Sequence, residues 1–347
     1  IADFISVFAP VFADPNRILI AQNAKYDYTV LSRYGIAFGS VIRDTMLEDY
    51  VLDAASRHGM DILARKYLGY SPIPIESLIG EKKRTVPQKN MADLAPSQIC
   101  DYAAEDADVT FRLDEVLRPK VEEAGALTAL TESEEPLVNI LSEMEREGVK
   151  MDTGTLGVCS RELDAELVSL IERIRQYAPA DLNIDSPKQL SAFLFETLAL
   201  DTAGIKKTTT GEYSTEEKTL RKLFDAHPVV PLILEYRACT RLKSTYVDKL
   251  PECIDPVDGR IHTVFSQALT ETGRLSSYDP NLQNIPVRSE RGKTIRASVV
   301  ARDCNHVLMA ADYSQIELRI MAHMSSDEAM CEAFRSGFDI CFFAVIL

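Results

Sequence analysis

The chain contains, at residues 312–323, the sequence DYSQIELRIMAH. The apolar run Val307 to Ala311 predicts a short buried strand that ends at Asp312, and Ile316 begins a helical pattern of apolar residues. A carboxylate at a rigid strand end suits a Mg2+ ligand, and Glu317 follows in the first helical turn. The alternative is an exposed turn carboxylate before an ordinary helix, and this stretch alone does not decide between them.

The composition predicts a globular protein of two or three domains. The chain has 347 residues, a formal charge of -15 and 46% hydrophobic residues. No apolar run approaches the roughly 20 residues that cross a bilayer, so we expect no membrane partner. The seven cysteines form no C-x-x-C pair, which argues against zinc and against a disulfide framework and favours a cytoplasmic location.

The acidic total does not exclude nucleic acid, because phosphate contacts depend on local Lys and Arg. Residues 188–249 carry 10 basic and 8 acidic side chains, and residues 260–302 carry 7 and 3. The second half of the chain therefore keeps a DNA groove possible.

The first third of the sequence alternates short apolar runs with longer helical patterns. Apolar runs at Ile18 to Ala21 and Ile36 to Ile42 predict strands, and the pattern from Pro96 to Leu117 predicts a long helix. We interpret residues 1–125 as an α/β domain. The proline-rich stretch 71–97, with its basic cluster Lys82 to Arg84, predicts an irregular loop.

Residues 126–250 are mainly helical. A turn at Gly148 and a new helix start near Asp152 predict a helix pair, and residues 206–212 predict a polar, mobile tip. The buried face of the first helix is predicted to carry Leu137, Ile140, Leu141 and Met144. On a later helix, Arg237, Arg241 and Ser244 form a stripe that suits a phosphate backbone, although a plain solvated face is the competing interpretation.

Two carboxylate clusters point to metal chemistry. Asp27 follows the predicted strand that ends at Ala21, and Tyr102 and Asp106 share one helix face at i and i+4. Two-metal nucleases need several carboxylates and a group that orients the attacking water. Either cluster alone is weak, because an acidic helix face is usually only solvated.

A third cluster lies beyond the turn at 256–259, where His262 to Ala268 predicts a strand. Arg274 and Arg288 suit phosphates, and the amides of Asn281, Gln283 and Asn284 can donate to bases or sugars from the minor groove. The competing interpretation is that an amide-rich loop caps its own turns.

Taken together, these stretches resemble the bacterial family A DNA polymerases. The motifs AQNAKYDY, DTMLEDY, YAAEDADVT, LKSTYVDKLP, TGRLSSYDPNLQNIPVR and DYSQIELRIMAH occur in the family's order. The resemblance implies a ribonuclease H-like α/β exonuclease domain (1–125), a mainly helical region with the thumb (126–255), and the start of an α+β palm (256–347).

The resemblance also implies roles for single residues. In the 3′→5′ exonuclease domain, Asp27 and Asp106 would bind metal, Tyr102 would orient the water, and Asn23 would contact the primer end. In the polymerase, Asp312 would bind both catalytic Mg2+ ions with the carbonyl of Tyr313, and Glu317 would exclude a ribose 2′-hydroxyl. Gln315, with Tyr313 and Glu317, would contact the nucleotide. The implied primer-template contacts are Arg241, Lys243, Ser244, Arg274, Asn281, Gln283, Asn284 and Arg288.

The implied cofactor is Mg2+, two ions per site, with Mn2+ as a substitute. The implied partners are primer-template DNA and deoxynucleoside triphosphates, bound by a monomer. Residues 1–26 lack the family's Asp-x-Glu, the fingers helix and His-Asp-Glu turn are missing, and residues 341–347 form an atypical apolar tail. We therefore expect the isolated chain neither to extend primers nor to degrade DNA efficiently. The alternatives are a ribonuclease D-like exonuclease and a non-catalytic primer-template-binding remnant.

Overall fold

The structure, a computed structural model, describes residues 2–81, 88–287 and 289–337. The chain divides into two compact units, Ile1–Val300 and Ala301–Leu347. The expected boundaries at 125 and 255 fall inside the first unit and stay a prediction. Arg288, the cluster 82–84 and the tail 341–347 lie outside the described residues.

The N-terminal part of the first unit is built on two parallel strands, as the apolar runs predicted. In β1 (Ile18–Ala21) and β2 (Val41–Asp44), Ala21 lies beside Asp44 at the carboxyl end. The second strand begins only at Val41. Ile36, which the pattern placed in this strand, is buried but lies in the loop before it. The helices here are α1 (Ala2–Ala13), α2 (Ala24–Ser32), α3 (Thr45–Leu52), α4 (Met60–Leu63) with a π-helical turn (Ala64–Leu68), α5 (Glu76–Ile79), a 3-10 turn (Met91–Asp93) and α6 (Pro96–Glu123).

The middle of the chain is mainly helical, as predicted. Its largest hydrophobic core packs α9 (Thr153–Arg175) against α12 (Val229–Leu242). A bridge between Lys207 and Tyr213 closes the polar tip. The remaining helices are α7 (Leu127–Ala129), α8 (Glu135–Glu147), α10 (Pro187–Ala192), α11 (Glu217–Lys222) and α13 (Lys249–Glu252), with π-helical turns at Leu130–Glu134, Phe193–Thr197 and Lys243–Val247.

The predicted helix pair is confirmed at both of its ends. Gly148 ends α8 at a φ of 66°, where a Cβ atom would lie 2.8 Å from the ring of His262. Asp152 starts α9, because its side chain accepts hydrogen bonds from the N–H groups of Gly154 and Thr155. Between the helices, β3 (Lys150–Met151) pairs antiparallel with β6 (Val299–Val300).

The predicted buried face of α8 is confirmed only in part: Leu141 is buried and Leu137 is half-buried. Ile140 and Met144 are exposed, whereas Val138, Ser142 and Glu145 are buried beside Leu141. The hydrophobic pattern fails because Ser142 and Glu145 find polar partners in α2: Thr29 for the hydroxyl and Lys25 for the carboxylate. Burial of polar groups is possible where they are paired.

The expected strand at His262 to Ala268 is a short antiparallel hairpin. β4 (Val264–Ser266) pairs with β5 (Ser276–Tyr278), and residues 267–275 form the loop between them. The loop 279–287 follows, and then α14 (Glu290–Ala297).

In the second unit the predicted strand is wrong. Val307, Leu308 and Met309 are exposed and form no strand, because no neighbouring strand among the described residues pairs with them. The predicted helix is confirmed as α15 (Ile316–Ser325), which packs against α16 (Glu328–Arg335). Ile316 and Ile320 are nevertheless exposed.

A buried group of charges joins α3, α6 and α8. Arg118 lies 3.4 Å from Glu48 and 2.5 Å from Glu135, and Arg43 lies 3.2 Å from Asp114. Burial, together with the nearby Asp114, raises the pKa of Glu48 to about 9. This shift favours the protonated form of Glu48 at neutral pH.

We expect Glu48→Gln to stabilise the protein in alkaline solution. The folded chain keeps a proton on Glu48 that the unfolded chain releases above its ordinary pKa of 4.5, so wild-type stability falls as pH rises toward 9. The variant has no such proton to lose, and its advantage should grow by roughly 4 kcal/mol between about pH 5.5 and about pH 8.5, since one pKa unit corresponds to about 1.4 kcal/mol. Urea unfolding at both pH values measures it. An equal pH dependence in wild type and variant would contradict the prediction, and the exposed Glu143→Gln serves as control.

Candidate functional site

A buried carboxylate, Asp44, fixes the start of two helices. Its oxygens accept hydrogen bonds from the N–H groups of Asn23 (2.9 Å), Ala24 (2.7 Å) and Met46 (2.9 Å). It therefore caps α2 and α3 together, at the carboxyl end of the parallel strands. Burial raises the pKa of Asp44 to about 6 against the effect of these donors.

Asp27 lies in the first turn of α2, close behind this cap. The residue is solvent-accessible, yet protein packed around the carboxyl group removes part of its hydration and raises its pKa. Asn23, predicted to contact the primer end, precedes the helix with a left-handed φ of 62°. The Asp44 cap therefore fixes the positions of Asn23 and Asp27 at the start of α2.

Tyr102 and Asp106 lie together on α6, as their spacing predicted. The phenol of Tyr102 interacts with the carboxylate of Asp106, and both groups are half-buried. Burial raises the pKa of Asp106, while the interaction with Tyr102 partly lowers it. Oδ1 of Asp106 is buried and has no hydrogen-bond partner in the described residues. An oxygen of this kind fits a divalent cation.

A groove of about 750 Å³ runs between α2, α8 and the β4–β5 hairpin. It is lined from one side by Asn23 and Tyr26, and from the other by Thr263, Phe265 and Tyr278. The buried pair Lys25–Glu145 forms part of its wall. Residues of the α/β part and of the hairpin therefore line the same groove.

The amides predicted to contact DNA also cap their own loop. The Asn281 side chain accepts hydrogen bonds from the N–H groups of Gln283 (3.1 Å) and Asn284 (3.2 Å). The Gln283 side chain donates to the carbonyl of Leu275, and the carbonyl of Asn284 accepts from Tyr246. The loop is thus held by the residues predicted to face DNA, and Arg274 is exposed at its edge.

The stripe predicted on α12 is only partly exposed. Arg237 is half-buried and donates to the carbonyl of Thr215, whereas Arg241 is exposed and pairs with Glu217 at 3.3 Å. Lys243 lies between Asp164 (3.2 Å) and Asp248 (3.1 Å). Ser244 is exposed. Contact of Lys243 with DNA would require competition with two carboxylates.

In the second unit, Asp312, Tyr313 and Glu317 lie on an exposed segment around the start of α15. Gln315 precedes the helix with a left-handed φ of 54°, and its Oε1 is buried without a hydrogen-bond partner in the described residues. Arg319 donates to the carbonyl of Ser314 and stacks on Phe334, which fixes the first turn.

A further group, Asp255, Asp258 and His262, brings three potential ligand atoms within 4.8 Å of one another. The Asp258 carboxylate, however, pairs with Arg260 at 2.9 Å and with His262 at 3.0 Å. The arginine already neutralises this turn, so the group has a structural explanation.

Comparisons with known proteins agree with this arrangement. The model of DNA polymerase family A matches residues 153–344, and a 3'-5' exonuclease model matches residues 1–122. The chain belongs to DNA polymerase family A. Family membership accounts for a ribonuclease H-like α/β part followed by a helical part, as the sequence predicted.

Curated relatives in family A cover almost the whole chain. DNA polymerase I of Pseudomonas aeruginosa is 46% identical over 95% of this chain, and that of Rhizobium leguminosarum is 44% identical over 94%. The chain spans 36% and 32% of these two relatives, about a third of their length. The POL domain of Pol1 from M. smegmatis, in complex with DNA primer-template and dNTP, is similar with a TM-score of 0.80 and 34% identity. That match covers 98% of this chain and 55% of the other.

Sequence reasoning missed Asp44, Tyr50 and Glu145. Asp44 and Tyr50 belong to the family A motif DTMLEDY, which indicated the family but gave neither residue a role. Glu145 had no sequence signal beyond an acidic residue on a helix.

None of the described helices is both long and apolar enough to span a membrane.

We expect Tyr102→Phe to raise the pKa of Asp106 further. The interaction with the phenol stabilises the charged carboxylate, so removal of the phenol hydroxyl favours the protonated form. NMR titration of 13C-labelled aspartate measures the change. Tyr70→Phe is the matched control, because Tyr70 donates to the neighbouring Glu105. A lowered or unchanged Asp106 pKa in Tyr102→Phe would refute the assignment.

Proposed function

We propose that this chain takes part in template-directed DNA synthesis with 3′→5′ proofreading, as part of a DNA-directed DNA polymerase in replication and repair. The observation that carries the proposal is the Tyr102–Asp106 pair, a phenol beside a half-buried carboxylate whose Oδ1 has no hydrogen-bond partner in the described residues. Membership of family A and the exonuclease match support it.

The exonuclease site would use Asp106 and Asp27 to hold divalent metal. Mg2+, or Mn2+ in its place, would neutralise phosphate charge and activate water when bound. Tyr102, which interacts with Asp106 on the same helix face, would orient the attacking water. Asn23, which lies beside Asp27 at the start of α2, would contact the primer end.

Primer-template DNA would be held along the thumb and the hairpin. Arg241, Ser244 and Arg274 are exposed, and Asn281, Gln283 and Asn284 stiffen the adjoining loop. Lys243 and Arg288 are further proposed contacts. The M. smegmatis relative was solved with DNA primer-template and dNTP, which supports the same partners for this chain. We propose a cytoplasmic monomer.

At the polymerase site, Asp312 and the Tyr313 carbonyl would bind Mg2+, Glu317 would exclude a 2′-hydroxyl, and Gln315 would contact the nucleotide. In the exonuclease-type site the buried oxygen without a hydrogen-bond partner belongs to Asp106. At the polymerase site the corresponding oxygen is Oε1 of Gln315 and not an oxygen of Asp312. Support for a metal at Asp312 therefore comes from family membership alone.

A ribonuclease D-like exonuclease leaves the family A match at residues 153–344 without an explanation. A primer-template-binding chain without turnover remains a second candidate, because the exposed arginines and the capped loop require no chemistry. Metal binding at Asp106 separates the two candidates.

We expect Mn2+ to bind at Asp106. Added Mn2+ should broaden the ring signals of Tyr102, since a paramagnetic ion relaxes nearby nuclei, and Asp106→Asn should abolish the broadening. NMR of tyrosine-labelled protein measures it. Asp108→Asn, which removes an exposed carboxylate paired with Arg112, should leave the broadening intact. Broadening that survives Asp106→Asn would exclude this metal site.

We also expect the chain to bind primer-template DNA in a salt-dependent manner. With about three phosphate contacts and a slope of about −0.9 per contact, Kd should rise roughly 40-fold between about 50 and about 200 mM salt. Fluorescence anisotropy with a labelled duplex measures it. Arg274→Ala should weaken binding and lower the slope by about one. Arg65→Ala, an exposed arginine on the π-helical turn after α4, should change neither, and salt-independent binding would argue against the proposed interface.

A further inference from the structure

The loop of the β4–β5 hairpin is attached to the α/β part of the first unit by a buried tyrosine. Tyr50 on α3 donates a hydrogen bond from its hydroxyl to the carbonyl of Thr270, at 2.9 Å. The Thr270 hydroxyl in turn donates to the carbonyl of Arg274, at 2.6 Å. Two successive hydrogen bonds therefore connect the α/β part to the backbone of Arg274, the proposed DNA contact.

The tyrosine is itself held in one orientation. It is 5% exposed, and the ring of His58 packs edge-on against it with centroids 5.6 Å apart. His58 is fixed by the buried carboxylate of Asp49, whose oxygen lies 2.6 Å from Nδ1. A hydroxyl positioned this firmly loses little freedom when it binds the loop.

The hairpin is also attached at its strand and at the beginning of its loop. The N–H of Phe265 donates to the buried carboxylate of Glu145, at 2.7 Å, and the Gln267 amide donates to Glu134. These contacts hold the base of the hairpin to α8 and to the π-helical turn before it. Tyr50 reaches farther along the loop, where Gly273 has a φ of 75° and the chain turns toward Arg274.

We propose that Tyr50 is a positioning residue for primer-template binding: it fixes the loop 267–275 so that Arg274 meets the phosphate backbone. The inference rests on the proposed function, because it takes Arg274 as a DNA contact. A residue of the α/β part thereby influences how tightly the hairpin binds duplex DNA. The competing explanation is that the carbonyl of Thr270 only satisfies a buried phenol.

The test is a double-mutant cycle in the complete 347-residue chain, with a fluorescent primer-template duplex as the probe. Tyr50→Phe keeps the ring and removes the donor, and we expect Kd to rise about three- to tenfold, the range of one hydrogen bond. The salt slope should fall by about one, because one phosphate contact is lost. In the Arg274→Ala background, Tyr50→Phe should have no further effect.

Thr270→Val supplies a second variant, which breaks the other hydrogen bond at a half-buried position outside the core. It should reproduce the weaker binding and the reduced slope. Tyr34→Phe is the matched control, since this tyrosine is 48% exposed, and it should bind like wild type.

The possible results separate the inference from the proposed function. If Arg274→Ala weakens binding but Tyr50→Phe and Thr270→Val do not, the positioning role is refuted and the proposed interface stands. If Tyr50→Phe weakens binding equally with and without Arg274, the tyrosine acts on stability alone and the inference fails. If Arg274→Ala itself has no effect, both the interface at Arg274 and the inference are overturned.

Discussion

The buried carboxylate of Glu145 joins the parts of the first unit that carry the candidate residues. Lys25 of α2 and the N–H of Phe265 in β4 both bind its Oε1, so α2, α8 and the hairpin meet at one atom. Burial of a charge is costly, and removal of one partner would leave the other charge unpaired, at a cost of about 3–5 kcal/mol. The Glu145 carboxylate therefore links the stability of the three elements.

The geometry of α2 explains how one helix serves both packing and the candidate site. Residues two apart on an α-helix point about 200° apart, at about 100° per residue. Lys25 accordingly faces α8 and is buried, while Asp27 faces the other way and is solvent-accessible. Asp44 fixes the start of this helix, and Glu145 fixes its rotation. These two buried carboxylates therefore determine the position of the third carboxylate, Asp27.

The sequence predicted the features that depend on local chemistry and missed those that depend on distant partners. The strand Ile18–Ala21 and the Tyr102–Asp106 pair were placed correctly, because strand composition and helical spacing are encoded within a few residues. Val307 to Ala311 also has the composition of a strand, but a strand needs a neighbour for its backbone hydrogen bonds, and none is found among the described residues. The face of α8 was predicted only in part because Glu145 is buried through a lysine of α2 that lies 120 residues away in sequence.

The same dependence explains why the hairpin belongs structurally with the α/β part. Its strand is held by Glu145, the start of its loop by Glu134, and the middle of its loop by Tyr50. Each contact is a polar one at a buried or half-buried position, where geometry is specific and an unpaired partner is costly. A shift in the position of α3 or α8 would therefore act on the hairpin through these hydrogen bonds, and not through the helical core that α9 and α12 form.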